Sequence, residues 1–419
     1  MRLIIILTLV CLQWTVAAQQ ATVHWKRGSW FDGNRFINTD FFSVDGILTR
    51  QPPARIDTVV DLNGRFVIPP FGEAHNHSPD VELDADVFIE RYLADGIFYI
   101  KNPNSIPFTT SRLAGKINHP RSVDVVYANG GLTASGGHPE GLYRYLLQTI
   151  YRKSIPGWTE RSLEGHAYYI INTAADLEKK WPFILAGKPA FIKAYLLYSE
   201  EFILRKNDTL FNGKKGLSPK LLPAIVKKAR AAGLDVSCHV ETPADLRNAL
   251  KAGVSEINHL PGYQVRWKEG YDAGYYLIPH TTLRLMKRKG AHADATYSLS
   301  ETELVETDSS RYAQRRKVQI RNLQRMKQHH IPVTVACDSY NKTARTEMEY
   351  LFGLGVYTNL ELLKMWSVTT PRVIFPQRKI GYLQEGYEAS FLVLNNNPLQ
   401  DFSALFRIHL RVKQGELLW

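Results

Sequence analysis

The stretch Phe66-Val-Ile-Pro-Pro-Phe-Gly-Glu-Ala-His75-Asn-His77 decides the reading of this chain, because it ends an apolar run with two histidines two residues apart. Side chains alternate faces along an extended strand, so His75 and His77 share a face and can offer two imidazoles to one metal ion. Alone, a His-x-His is a weak signal in 419 residues containing 13 histidines. Four later positions strengthen it: Lys193 in Phe191-Ile-Lys-Ala-Tyr195, His239 in Val236-Ser-Cys-His-Val240, His259 in Ile257-Asn-His-Leu260 and Asp338 in Val335-Ala-Cys-Asp-Ser339. Each sits at the end of a short apolar run with the character of a buried strand. Several strand ends that deliver metal-type ligands to one place describe the rim of a barrel.

The surrounding periodicity agrees. Leu222–Gly233 predicts a helix ending in glycine, Asp235–Val240 a strand, Thr242-Pro243 the start of a helix that stops at Gly253, and Glu256–Leu260 the next strand. His239 and His259 are therefore one β-α unit apart. The same alternation between about residues 70 and 375 implies a parallel sheet and fits a (β/α)8 barrel, whose chemistry gathers at the C-terminal ends of its strands. Residues 22–66 and 380–419 read differently, as short strand-like runs with turns such as Asp32-Gly33-Asn34 and Asp45-Gly46.

The ordered set resembles the metal-dependent amidohydrolase superfamily, in the branch with a carboxylated lysine and imidazolonepropionase-like and prolidase-like members. The resemblance covers nearly all of the chain beyond residue 18. It implies an α/β fold: a (β/α)8 TIM barrel over residues 67–375, flanked by a small β-sandwich built from residues 19–66 plus 376–419. It places the barrel strands near residues 71–77, 97–102, 123–130, 190–197, 235–240, 256–260, 292–297 and 332–338. It assigns His75, His77 and Asp338 to the more buried of two divalent ions, His239 and His259 to the more exposed one, and a carbamate on Lys193 to the bridge. Zinc is the metal expected of such histidine-rich ligation. The chain departs from the family pattern at Pro70, Glu73 and Ser390, none of them a ligand position.

Lys193 needs a chemical step before it can serve. An ammonium cannot ligate a cation, but a desolvated neutral amine can add carbon dioxide and become a two-oxygen anion. The plainer alternatives are a buried lysine reaching the barrel mouth, core histidines at 239 and 259, and a helix cap at Asp338; the ordered series as a whole argues against them. Water between two cations loses a proton near neutral pH. Asp338 is then expected to accept that proton and pass it to the leaving group. Such a site suits amides, cyclic amides, lactones and related esters.

Substrate contacts are less legible. Gly130-Gly-Leu-Thr-Ala-Ser-Gly-Gly-His138 resembles the family loop whose histidine faces the substrate; a surface-loop histidine is the alternative. It is not a phosphate loop, since no Gly-Lys-Ser/Thr follows. Segments 139–172 and 261–280 are long for β-α connections and are expected to form a lid or an oligomer contact. Tyr198, Arg144 and Arg266 are candidates to hold a substrate carboxylate.

The first residues, Met1-Arg-Leu-Ile-Ile-Ile-Leu-Thr-Leu-Val, lead to Val16-Ala-Ala18, which predicts a signal peptide over residues 1–18 and export to the periplasm or outside the cell. No later segment is long and apolar enough to span a bilayer. Cys238 and Cys337 are read as packed core residues rather than a disulfide. The net charge of +12 has one concentrated source in Arg311–Lys327, read as an amphipathic helix with a solvated basic face rather than a nucleic-acid site. The expected partner is a small molecule, and the expected reaction is hydrolysis of a C–N bond, with a dipeptide or an N-acyl amino acid among the candidate substrates. The alternatives are lactone, ester or phosphotriester hydrolysis at the same site, or an idle binding protein on the same scaffold.

Overall fold

All eight apolar runs form strands, and all but the second are shorter than the run: Phe71–Glu73, Ile97–Asn102, Asp124–Tyr127, Ile192–Tyr195, Val236–His239, Glu256–Asn258, His292–Asp294 and Val333–Thr334. They come from a computed structural model describing residues 21–300 and 308–418; the leader expected over residues 1–18 lies outside these. The strands are short because the chain turns out of the ladder at the residues of chemical interest. His259 and Asp338 both adopt left-handed φ, +68° and +49°.

The parallel strands lie in two sheets. Phe71–Glu73, Ile97–Asn102 and Asp124–Tyr127 form one in chain order; the other runs from Tyr168–Ile170 through Gly131–Thr133, Ile192–Tyr195, Val236–His239, Glu256–Asn258 and His292–Asp294 to Val333–Thr334. Backbone bonds span both gaps between them. On one side Ala74 N donates to Val335 O, Asp338 N to His75 O and His77 N to Ser339 O, each at 2.9 Å. On the other, Ala190 N, just before the strand Ile192–Tyr195, donates to Tyr127 O at 2.8 Å.

Within the strands, outward residues such as Ile192, Ala194, Val236, Cys238, Ile257 and Ala293 join one large apolar core. The alternate residues Lys193, Ser237, Glu256, Asn258 and Asp294 are buried and polar. They survive burial by bonding one another: Asn258 Nδ2 donates to Asp294 Oδ2 at 2.7 Å, and Lys101 pairs with Glu256.

The helices end where their signals say. Thr242 Oγ1 accepts from Asp245 N at 3.1 Å and Asp245 bonds back to Thr242 N, a capping box that starts Pro243–Ala252. Gly253 ends that helix at φ +93°, a conformation glycine takes without steric cost. The basic helix spans Ser309–Gln328. Its expected solvated face needs correcting at one position: Arg315 is buried beside Val318 and Gln319, whereas Arg311, Lys317 and Arg321 are exposed. Cys238 and Cys337 are buried free thiols, as expected.

A separate mixed sheet of eight strands draws on residues 23–68 and 391–417, with its own core around Trp25, Trp30, Phe41 and Phe391. Here Ser390, one of the departures from the family pattern, accepts Gln414 N at 2.9 Å. Among the described residues no helix is long and apolar enough to cross a membrane.

Candidate metal centre

The six expected ligands, His75, His77, Lys193, His239, His259 and Asp338, line one cavity of about 410 Å³ at the C-terminal ends of the parallel strands. Asp338 is its focus. Its Oδ1 lies 3.3 Å from His75 Nε2 and 3.2 Å from His77 Nε2, and its Oδ2 lies 3.8 Å from His259 Nε2. Atoms of His75, His259 and Asp338 all fall within 4.8 Å of one another, a spacing that could hold a metal ion. The His239 ring stands 4.5 Å from that of His259.

Strand register explains how a lysine reaches this cavity. Tyr195, His239 and Asn258 are level across neighbouring strands, while Lys193 is level with Ser237 and Glu256, one layer deeper. Two residues of strand are roughly 7 Å, a gap that a long side chain can climb. Lys193 Nζ ends on Asn258 Oδ1. Burial pushes its pKa down to about 8, so the neutral amine is accessible.

The remaining imidazole nitrogens are held from behind. His77 Nδ1 meets Asn104 O at 3.1 Å and His259 Nδ1 meets Thr296 Oγ1 at 2.7 Å, which aims their Nε2 atoms at the carboxylate. Asp294 accepts His259 N at 2.8 Å and lies 3.4 Å from His75 Nδ1. His239 Nε2 is buried and finds no hydrogen bond among the described residues, 3.5 Å from Glu241 Oε1. Back-bonded imidazoles, an orphaned ring nitrogen and a central carboxylate are the donor set a divalent cation takes. Burial pushes the Asp338 carboxyl up, but His75 and His77 outweigh it and hold it well below the ordinary carboxylate range. Burial lowers His77, His239 and His259, favouring neutral rings able to ligate.

Both long segments reach this cavity, the first through Pro139, Leu142 and Tyr143, the second through Tyr263, Gln264 and Arg266. His138 also lines it, its ring 5.1 Å from His239, and burial pushes its pKa down to about 3. Two expected carboxylate contacts need correction. Tyr198 is fully buried away from the cavity wall; its hydroxyl bonds Tyr276 at 2.7 Å and its ring stacks under Arg205. Arg144 instead lies 3.9 Å from Glu160, off the cavity wall. Arg266 is on the wall: its Nη2 donates to Glu241 Oε1 at 3.2 Å, and its buried Nε has no hydrogen-bond partner among the described residues. Glu241, Asn258, Asp294 and Thr296 were missed from sequence. Their signal was polar residues at alternate or terminal positions of buried strands, in Glu256-Ile-Asn258 and His292-Ala-Asp294.

A parallel α/β scaffold with a histidine and carboxylate cluster at its strand ends defines a class of metal-site enzymes. The sequence profile of the amidohydrolase family matches residues 185–418, more than half of the chain, and the chain belongs to that family. Membership makes it a hydrolase by class, and the family generally binds divalent metal ions. Ochratoxinase of Aspergillus niger is 27% identical over 197 residues, a match spanning 44% of this chain and 37% of that protein. The crystal structure of A. niger ochratoxinase superposes with a TM-score of 0.72 at 18% identity, covering 95% of this chain and 96% of that one. A prolidase complexed with N-methylphosphonate-L-proline gives 0.70 at 17% identity, covering 95% and 99%. At these identities the superpositions speak for the fold.

Proposed function

We propose that this protein hydrolyses a C–N bond, an amide or cyclic amide, in a small substrate, and that its site holds two divalent ions, zinc by default. The observation that carries the reading is the convergence of six dispersed residues on one cavity, with Asp338 within 3.8 Å of three imidazoles. Matches to ochratoxinase and to prolidases support an amide-type bond such as that of a dipeptide or an N-acyl amino acid. The backbone bonds across both gaps between the parallel sheets support a closed (β/α)8 barrel over residues 67–375. The mixed sheet supports a composite β domain from residues 19–66 and 376–419. Export after removal of residues 1–18 belongs to the same reading.

His75, His77 and Asp338 would hold one ion, His239 and His259 the other, and a Lys193 carbamate both. When bound, such ions polarise a carbonyl and make water a nucleophile near neutral pH. The chain supplies the rest. Asp338, held ionised, takes the proton from attacking water and gives it to the leaving amine. His138, in the cavity lining beside His239, would face the scissile group. Arg266, with a free buried Nε, is the cavity's anchor for a substrate carboxylate, and Glu241 fixes its plane.

The test is metal analysis of the purified protein together with a panel of dipeptides, N-acyl amino acids, lactones and phosphotriesters. Two equivalents of metal and turnover confined to the amide substrates are expected. Turnover of only the lactones or phosphotriesters would move the reading to C–O or P–O hydrolysis. A metal-loaded protein that binds but turns over none would make it a binding protein.

A further inference from the structure

A second cleft, of about 500 Å³, lies behind the glycine-rich loop that ends at His138. Its wall carries Lys206, Lys215 and Lys220 with Ser135, Asn172 and Ser218, and no Asp or Glu. Among the described residues, none of the three lysines is in an ion pair. Lys215 is only 5% exposed; its Nζ donates to Lys206 O at 3.1 Å and Asp208 O at 3.2 Å. An ammonium has three N–H donors, so two carbonyl dipoles leave one donor and the whole charge unmatched. A buried cation in that condition is stabilised by an anion that enters its cleft.

Two further features point the same way. The Ser135 hydroxyl accepts from Asn172 Nδ2 at 2.7 Å and keeps its own O–H to donate. Lys220 and Leu221 line the cleft where the helix Leu222–Ala231 begins, and no side chain caps that helix start. Pro223 has no N–H and the Ala224 and Ile225 N–H groups bond Leu221 O, so what the helix start adds to this wall is the partial positive end of its dipole.

We propose that this cleft binds a small, multiply charged oxyanion of the phosphate or sulfate type, held by Lys206, Lys215, Lys220 and Ser135. The ligand would join two segments that meet around it: the loop through Ser135, and the stretch from Lys206 to Leu221. That junction is tight, since His138 N donates to Lys215 O at 2.9 Å and a Cβ at Gly136 would lie 2.4 Å from Asn212 Oδ1. Occupancy therefore stiffens the loop that brings His138 to the metal-site cavity. This coupling rests on the hydrolase reading; the binding does not.

The experiment is hydrogen–deuterium exchange of the full, metal-loaded protein titrated with inorganic phosphate, with chloride at matched ionic strength as control. Phosphate, and not chloride, is expected to slow exchange saturably in residues 134–138 and 206–221. The Lys206→Ala/Lys220→Ala variant should need at least tenfold more phosphate for the same protection, while any effect of phosphate around His75 and His77 stays as in wild type. Should that variant lose the wild-type unfolding midpoint, the single Lys220→Ala variant gives the same comparison at an exposed site. Protection that is absent, equal under chloride, or unchanged in the lysine variants would overturn the proposal. The substrate panel reads the hydrolase assignment separately, so either idea can fail without the other.

Discussion

Replacing Asp338 with asparagine isolates its proton chemistry from its place in the fold. The residue sits at φ +49°, a region asparagine adopts as readily as aspartate, and its N–H bonds His75 O at 2.9 Å. The amide is nearly isosteric and keeps one oxygen for the ligand position. What disappears is the anion at 3.2–3.3 Å from His75 and His77 and the only carboxylate in the ligand series able to take a proton from water. General acid–base catalysis contributes roughly 10²–10⁴-fold. At 1.36 kcal/mol per decade the barrier should rise by about 2.7–5.4 kcal/mol. KM should change little, because the carboxylate acts on the reacting proton and not on the bound substrate. Steady-state kinetics on the best panel substrate, with metal content measured by atomic emission on the same preparation, reads both numbers. A metal-replete Asp338→Asn protein turning over at near wild-type rate would show that another group is the base.

Lys193→Ala should lose metal and activity together, and short carboxylic acids should restore part of both by standing in for the bridge; unmodified lysine in the electron density of the fully loaded, active enzyme would refute the carbamate. Arg266→Met should raise KM at least tenfold for substrates bearing a free carboxylate and leave their amidated analogues unaffected, the contrast expected of a lost charge-assisted bond. Thr242→Ala removes one side of a capping box and should lower unfolding stability by about 1 kcal/mol in denaturant titration, with metal affinity unchanged. Glu347 offers a pH test. Burial raises its carboxyl to about 7, against donation from Tyr297 and Ser298 N–H groups at 2.9 and 2.7 Å. A carboxyl whose folded pKa is raised binds more protons folded than unfolded, so its contribution is full at low pH and is lost as pH rises through about 7. The stability of wild type relative to Glu347→Gln should therefore fall between pH 5 and pH 8, measured as urea midpoints; a flat or rising difference would contradict the assignment.

Much of the architecture is local information. The eight strand runs and the helix between Thr242 and Gly253 follow from side-chain alternation, caps and glycine positions, all set by neighbours in sequence, whereas His75 and His77, expected on one strand face, lie just beyond the strand Phe71–Glu73. The ligand types were also readable, because histidine, lysine and aspartate at the ends of buried strands are costly without a purpose. Tertiary structure decided what local rules cannot reach. It alone made Asp338 the point on which three imidazoles converge, through bonds between His75 and Asp338 backbones separated by most of the chain. It turned Tyr198 away into a buried pair with Tyr276 and brought Arg266 to the cavity wall, a choice set by how segment 261–280 folds back rather than by residue type. Asn258 and Asp294 acquired their roles the same way: each is an ordinary polar residue in sequence, and becomes part of the site only because strand register sets it beside a histidine from another strand.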